Sequence, residues 1–258
     1  MRNVLLTIVM LVAISLISGC GTTSTAGTST DTEKFVFANS GAYKPFSFDK
    51  GGTIVGFDVD IANEIAKRIG REPVMHSPVP FDALIQGLKA GKYDALVASH
   101  GITDERKKVV DFSRPYYRSG AQIFVADSNS SINSGSDLRG KKIGVVKAST
   151  YLELANTLTD EGKVTTYDSD VIALSDLRTG RVDAVITDKL VGLIAKNGSG
   201  LKIKAVGDIL KQDEMGIVVQ KGDTKLLSSI NTALDAMIAD GTYEKISMRW
   251  FNENILGE

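Results

Sequence analysis

The order of apolar runs and breaks predicts an α/β protein built as two similar lobes with a cleft between them. Three observations predict it. Short apolar strands alternate with helical segments, a twelve-residue pattern occurs twice, and the strands inside that pattern end on polar residues. Strands that alternate with helices make parallel sheets. Ligands on such sheets sit beyond the carboxyl ends of the strands.

The repeated pattern is Leu88-Lys89-Ala90-Gly91-Lys92-Tyr93-Asp94-Ala95-Leu96-Val97-Ala98-Ser99 against Leu177-Arg178-Thr179-Gly180-Arg181-Val182-Asp183-Ala184-Val185-Ile186-Thr187-Asp188. Each copy reads as a helix end, a Gly stop, a basic residue, an Asp and a buried strand. Gly supplies the left-handed cap that stops the helix, and the continuous apolar run suits a strand covered on both faces. A weaker echo opens each half: Phe35 to Ala38 before a polar turn ending in Tyr43, and Ile143 to Val146 before one ending in Tyr151. Near the end, Leu226, Leu227, Ile230, Ala233, Leu234, Met237 and Ile238 have helical spacing, with Gly241 as the stop. A second short helix from Tyr243 to Phe251 carries Ile246, Trp250 and Phe251 as core anchors.

The N-terminus reads as an export signal. Arg2 precedes an apolar run, Val4 to Ile17, which is too short to span a bilayer but suits a secretory signal. Leu16-Ile17-Ser18-Gly19-Cys20 resembles a bacterial lipobox, whose cysteine is acylated, and Cys20 is the sole cysteine. Residues 1–19 are therefore expected to be a lipoprotein signal peptide. Residues 20–33, rich in Gly, Ser, Thr and Ala, are expected to form a flexible tether. The protein is expected outside the cytoplasm, held to the membrane by its lipid alone. A net charge of −1, with Lys and Arg scattered among Asp and Glu, gives no support to a nucleic-acid partner. Two histidines and a lipidated cysteine argue against a zinc site, and neither cofactor nor metal is implied. Nothing demands more than a monomer.

Several residues could hold a small ligand. Thr103 suits a helix N-cap, and Asp104 and Glu105 suit its positive first turn. Arg106 in that turn is misplaced electrostatically. It either reaches forward to an anion, a carboxylate held bidentately being the natural one, or pairs at the surface with Asp104 or Glu105. Ser149 and Thr150 open another helix start, where Thr150 and Glu153 form a capping box. Asp188 could accept a ligand ammonium or simply cap the helix Lys189 to Lys196. Tyr43 and Phe81 lie in polar turns and could wall a pocket; a core role suits Phe46 and Phe48 better. Ser99 and Gly101 complete the rim, with Ser40, His100 and Tyr151 as further candidates.

These residues, taken with Gly56-Phe57-Asp58-Val59-Asp60, Phe81-Asp82-Ala83-Leu84-Ile85, Lys92-Tyr93-Asp94-Ala95, Ile102-Thr103-Asp104-Glu105-Arg106, Asp111-Phe112-Ser113-Arg114-Pro115, Asp137-Leu138-Arg139-Gly140-Lys141 and Asp240-Gly241-Thr242-Tyr243, resemble the polar amino-acid class (family 3) of ABC-importer binding proteins over nearly the whole mature chain. The resemblance implies a type II periplasmic-binding-protein-like clamshell, each lobe a mostly parallel sheet flanked by helices, joined by two hinge strands. Lobe 1 would comprise 34–117 and 215–258, and lobe 2 would comprise 118–214. It implies that Arg106 clamps the α-carboxylate of an amino acid with help from Ser99, Gly101, Ser149 and Thr150. It further implies that Asp188 takes the α-ammonium, that Tyr43 and Phe81 sandwich the side chain, and that a membrane permease receives the ligand. Gly101 departs from the family's frequent Ser or Thr, and Ser40 from the acid common in relatives that prefer cationic ligands. Two rivals share the fold: a cyclohexadienyl dehydratase-like enzyme, with His100 as its only extra titratable group, and an amino-acid sensor that does not transport.

Overall fold

In the computed structural model, which describes residues 32–257, the apolar runs pair as strands and the 3.6-period segments cover them. The signal segment, Cys20 and most of the tether lie outside the described residues. In chain order the elements are β1 (Lys34–Ala38), β2 (Ala42–Tyr43), β3 (Ser47–Asp49), β4 (Ile54–Val55), α1 (Phe57–Arg68), β5 (Glu72–Met75), α2 (Leu84–Lys89), β6 (Ala95–Gly101), α3 (Asp104–Lys107), β7 (Val110–Ala126), β8 (Ile143–Val146), α4 (Thr150–Leu158), β9 (Val164–Tyr167), α5 (Asp170–Thr179), β10 (Ala184–Asp188), α6 (Lys189–Ser199), β11 (Ile203–Gln220), α7 (Thr224–Ala239) and α8 (Thr242–Phe251). No described helix is long and apolar enough to cross a membrane.

Eight strands hydrogen-bond in the order β5-β1-β6-β11-β7-β10-β8-β9. Read inward from either edge, the halves match. β1 runs parallel to β5 and β6, and β8 runs parallel to β9 and β10. A long antiparallel strand then follows, β11 beside β6 and β7 beside β10. The repeat seen in the sequence is this equivalence: its two glycines, Gly91 and Gly180, have φ of +70° and +71°, and its two strands, β6 and β10, are buried at every residue. β7 and β11 pair with each other from Val110–Gln220 to Ala126–Ile203, with register shifts near Met215–Gly216 and between Val206 and Lys211.

The apolar side chains gather in four clusters. Two draw on residues 35–117 and 215–255, with Leu190 and Val191 joining the larger. The other two draw on residues 121–203. In the largest, Phe46 stacks on Tyr117 and Tyr43 at ring separations of 4.6 and 5.2 Å, contacts worth about 1 kcal/mol each beyond area burial. Phe48 is only half-buried, edge-on to Trp250. Helix α7 buries Leu226, Ile230, Ala233, Leu234 and Met237, whereas Ile238 is exposed.

The turn carrying Tyr43 is pinned to α1 by main-chain hydrogen bonds. Phe57 N donates to Pro45 O and Asp58 N to Phe46 O, at 3.1 and 2.9 Å. Gly56, at φ +144°, makes this approach, since a Cβ there would stand 2.1 Å from Phe46 O. Only glycine fits such a contact.

Candidate functional site

Beyond the carboxyl ends of these strands lies a cleft of about 580 Å³, counted with its open mouth. The first half of the chain lines it with Ser40, Ala42 and Tyr43 after β1, with Phe81, with Ala98, Ser99 and Gly101 of β6, and with Arg106. The other wall is Val146, Ser149, Thr150 and Tyr151 around the β8–α4 turn and Asp168, Ser169 and Asp170 after β9; Met215 of β11 lies between. Seven of the eight principal candidates therefore share one cavity, as do Ser40 and Tyr151. Asp188 and His100 are not among the lining residues.

Arg106 is placed by its helix start. The Thr103 side chain accepts from Arg106 N at 3.2 Å, the N-cap its sequence position requires. Asp104 and Glu105 pair with Lys107 and Lys108, not with Arg106. The guanidinium instead donates from Nη1 to Gly101 O and from Nη2 to Ala148 O, both at 2.9 Å. No carboxylate is ion-paired with it among the described residues, and three of its five donors are left over. Burial lowers its pKa, an effect that Asp213 and Glu153 oppose; a guanidinium so buried still holds its charge at neutral pH. Its carbon Cζ stands 5.9 Å from the Phe81 ring centroid.

Ser99 sits at φ +54°, a left-handed conformation uncommon for a residue with a side chain. Two contacts hold it there. Tyr116 Oη accepts from Ser99 N at 2.9 Å, and the Ser99 hydroxyl donates to Asp58 at 3.1 Å. Tyr116 donates to the other Asp58 oxygen, and burial pushes the Asp58 carboxyl up to about 7. Ala148, in the turn after β8, is also left-handed, with φ +55°.

Two expectations, the capping box and the place of Asp188, need correction. The Thr150–Glu153 capping box does not form: Ser149 is the N-cap and turns its hydroxyl back to Val146 O at 2.8 Å. Thr150 is the first helical residue, and its methyl lies 3.1 Å from where a Cβ on Gly101 would stand. His100 is buried beneath the Phe81 ring, 4.6 Å away and nearly parallel, with no hydrogen-bond partner for Nδ1. Burial, then Arg106, holds its pKa well below the ordinary histidine value, so it is neutral at neutral pH.

Asp188 is fully buried behind the wall. One oxygen accepts from Ser119 Oγ at 2.7 Å and from Leu190 N at 2.8 Å, which makes it the N-cap of α6. The carboxylate on the wall is Asp170, the first residue of α5. It accepts from the Thr187 hydroxyl, and burial pushes its pKa up to about 6. No cation pairs with it among the described residues. Asp168, at the mouth, is paired with Lys147 at 2.7 Å. A signal for Asp170 was present in the sequence: Asp168-Ser169-Asp170 follows the strand Val164–Tyr167 at the kind of strand end where ligands bind. The cavity thus sets a half-buried guanidinium on one wall against a buried carboxylate on the other, neither ion-paired among the described residues, with aromatic rings at Tyr43 and Phe81.

Comparison with known proteins places the fold. The model of bacterial extracellular solute-binding proteins, family 3, matches residues 35–253. This chain belongs to that family. Among curated relatives of this solute-binding protein, the L-cystine-binding protein TcyJ of Escherichia coli is 35% identical over 83% of this chain and 81% of its own. The ABC transporter arginine-binding protein 1 of the same organism is 37% identical over 85% and 91%. The solved structure of an ancestral arginine-binding protein bound to glutamine superposes with a TM-score of 0.80 at 41% identity, over 85% of this chain and 98% of that one. The solute-binding protein thus has the type II periplasmic architecture of its structural neighbours.

Proposed function

We propose that this protein is the extracytoplasmic substrate-binding component of an amino-acid ABC importer, holding a free amino acid in the cleft and handing it to a permease. One observation carries the reading: half-buried Arg106 and buried Asp170, neither of them ion-paired among the described residues, line the same cavity from opposite halves of the molecule. An α-carboxylate fits the leftover guanidinium donors, and an α-ammonium fits Asp170. Buried charges are stable when paired and costly alone, so a zwitterion completes both. Ser99, Gly101, Ser149 and Thr150 border the carboxylate end, and Tyr43 and Phe81 flank the side chain.

In this reading residues 34–117 and 215–258 form one lobe and 118–214 the other, joined by β7 and β11. The ligand bridges the lobes, so it binds the closed form better than the open one, and that difference drives closure. The fold works as a monomer, tethered through a lipid on Cys20. The dehydratase reading has less support, because His100, the acid it would draw on, is covered by Phe81.

The test is calorimetry and thermal melting against the twenty amino acids. At ligand concentrations about 100-fold above Kd, a bound amino acid adds ~2.7 kcal/mol of stability, or ~5–10 °C in Tm. A panel in which none produces heat or a shift, or turnover of prephenate or arogenate by the purified protein, would overturn the reading.

A further inference from the structure

Behind the wall that carries Asp170 lies a second carboxylate without an opposite charge. Asp188 is fully buried, one oxygen engaged by Ser119 and the α6 amides, while Oδ2 has no hydrogen-bond partner. The groups that reach it come from every surrounding element: Asp170 at the start of α5, the phenols of Tyr43 on β2, Tyr117 on β7 and Tyr151 in α4, and the amides of Leu190 and Val191 in α6. None is a cation. The Tyr117 and Tyr151 hydroxyls are also buried, near Ser99 and Asp213 respectively. Thr187, next in sequence to Asp188, donates to Asp170, so the two acids are tied to one strand end. On the far side Ser119 and Leu190 line a groove behind β7 and β11, together with Lys189 and Gln212.

A carboxylate buried among phenols, with a free oxygen and no cation, is more stable protonated than ionised. We propose that Asp188 holds a proton while the cleft is empty and releases it when a ligand ammonium settles on Asp170, so that amino-acid binding is linked to proton release. The inference rests on the ammonium–Asp170 contact of the proposed function. The O–H bond at Oδ2 breaks, its electron pair stays on the carboxylate, and the proton goes to solvent. The sign follows from charge. Burial first, and the ionised Asp170 with it, raises the Asp188 pKa to about 7. An ammonium at Asp170 cancels that negative field and adds a positive one, and both changes favour the ionised Asp188. Asp188 is thus a positioning residue that acts through Asp170, strengthening the ammonium site with a second negative charge.

Calorimetric titration of the amino acid that binds, in buffers of different ionisation enthalpy, counts the protons. A group of pKa about 7 that ionises fully on binding releases about 0.5 proton at pH ~7 and almost none by pH ~8.5. Asp188→Asn keeps an N-cap of the preferred kind and should bind while releasing only about 0.1 proton at pH ~7, the share left to Asp170. Binding by the natural protein without release, or equal release from D188N, overturns this inference alone. No binding by the natural protein defeats it together with the proposed function. If D188N does not fold, the natural protein decides: release of about 0.5 proton or more at pH ~7 that vanishes above pH ~8.5 supports the inference, and a count of only about 0.1 at pH ~7, or one independent of pH, overturns it.

Discussion

Arg106 Nη2 donates to the main-chain carbonyl of Ala148 at 2.9 Å, so a side chain rooted in α3 is held by the turn that precedes α4. The same guanidinium is tied to Gly101 O, and Gly101 lies against Thr150. The two walls of the cleft therefore meet at Arg106, and the donors it does not spend on carbonyls face the cavity.

Replacing Arg106 should abolish tight binding. Arg106→Ala removes the charged partner of the carboxylate in a desolvated site, a loss of about 3 kcal/mol or more, over 100-fold in Kd. Arg106→Lys restores charge without the planar fork and should recover only part. Calorimetry of both variants, with circular dichroism to confirm folding, measures this; affinity unchanged in R106A rejects the assignment.

The ligand-free protein should grow more stable as pH falls from about 8 to about 5.5. Asp58, Asp170 and Asp188 have folded pKa values raised to about 7, 6 and 7 by burial. The folded state then binds more protons than the unfolded state through this window, so stability declines as pH rises. Asp111 and Asp240 are shifted the other way by Lys221 and by Thr242 with Arg68, and their contribution is lost only at lower pH. Ligand affinity should move oppositely, weakening in acid as Asp170 is protonated. Melting curves without ligand and titrations with it, across the same buffers, separate the two; a Tm that rises with pH over that range contradicts the first.

Two glycines of α6 should respond in opposite ways. A Cβ on Gly192 would stand 2.0 Å from the Phe124 ring, so Gly192→Ala overpacks a closed cluster and should cost ~1–3 kcal/mol. A Cβ on Gly198 meets only the end of Lys44, at 3.9 Å, so Gly198→Ala should gain ~0.5–1 kcal/mol from helix propensity. Denaturant midpoints decide it, and a stabilised G192A would show that α6 does not pack on Phe124 as described.

Much of this could be read before folding. Gly91 and Gly180 marked equivalent helix ends, and the apolar runs after them marked β6 and β10, because a helix stop and a two-face-buried strand leave local signatures. Arg106 stood out because a cation in a first turn is locally unfavourable. Tyr43 and Phe81, aromatics in polar turns, line the cavity. Ile238 misled, since periodicity says nothing about which neighbour covers a side chain, and adjacency to Gly101 left the place of His100 open.

The choice between Asp170 and Asp188 shows where that reading ends. By itself the sequence determined the strand–helix order, the internal repeat and the kinds of groups at each strand end, all properties of short segments. Only the tertiary structure decided which carboxylate faces the cleft. Asp170 follows a strand and Asp188 ends one, each stands at the start of a helix, and both are chemically able to cap or to bind. Their roles diverge because α6 starts behind the wall, where Ser119 and Leu190 engage Asp188, while α5 starts at its surface. That difference is the placement of two helices on a sheet, made by contacts distant in sequence.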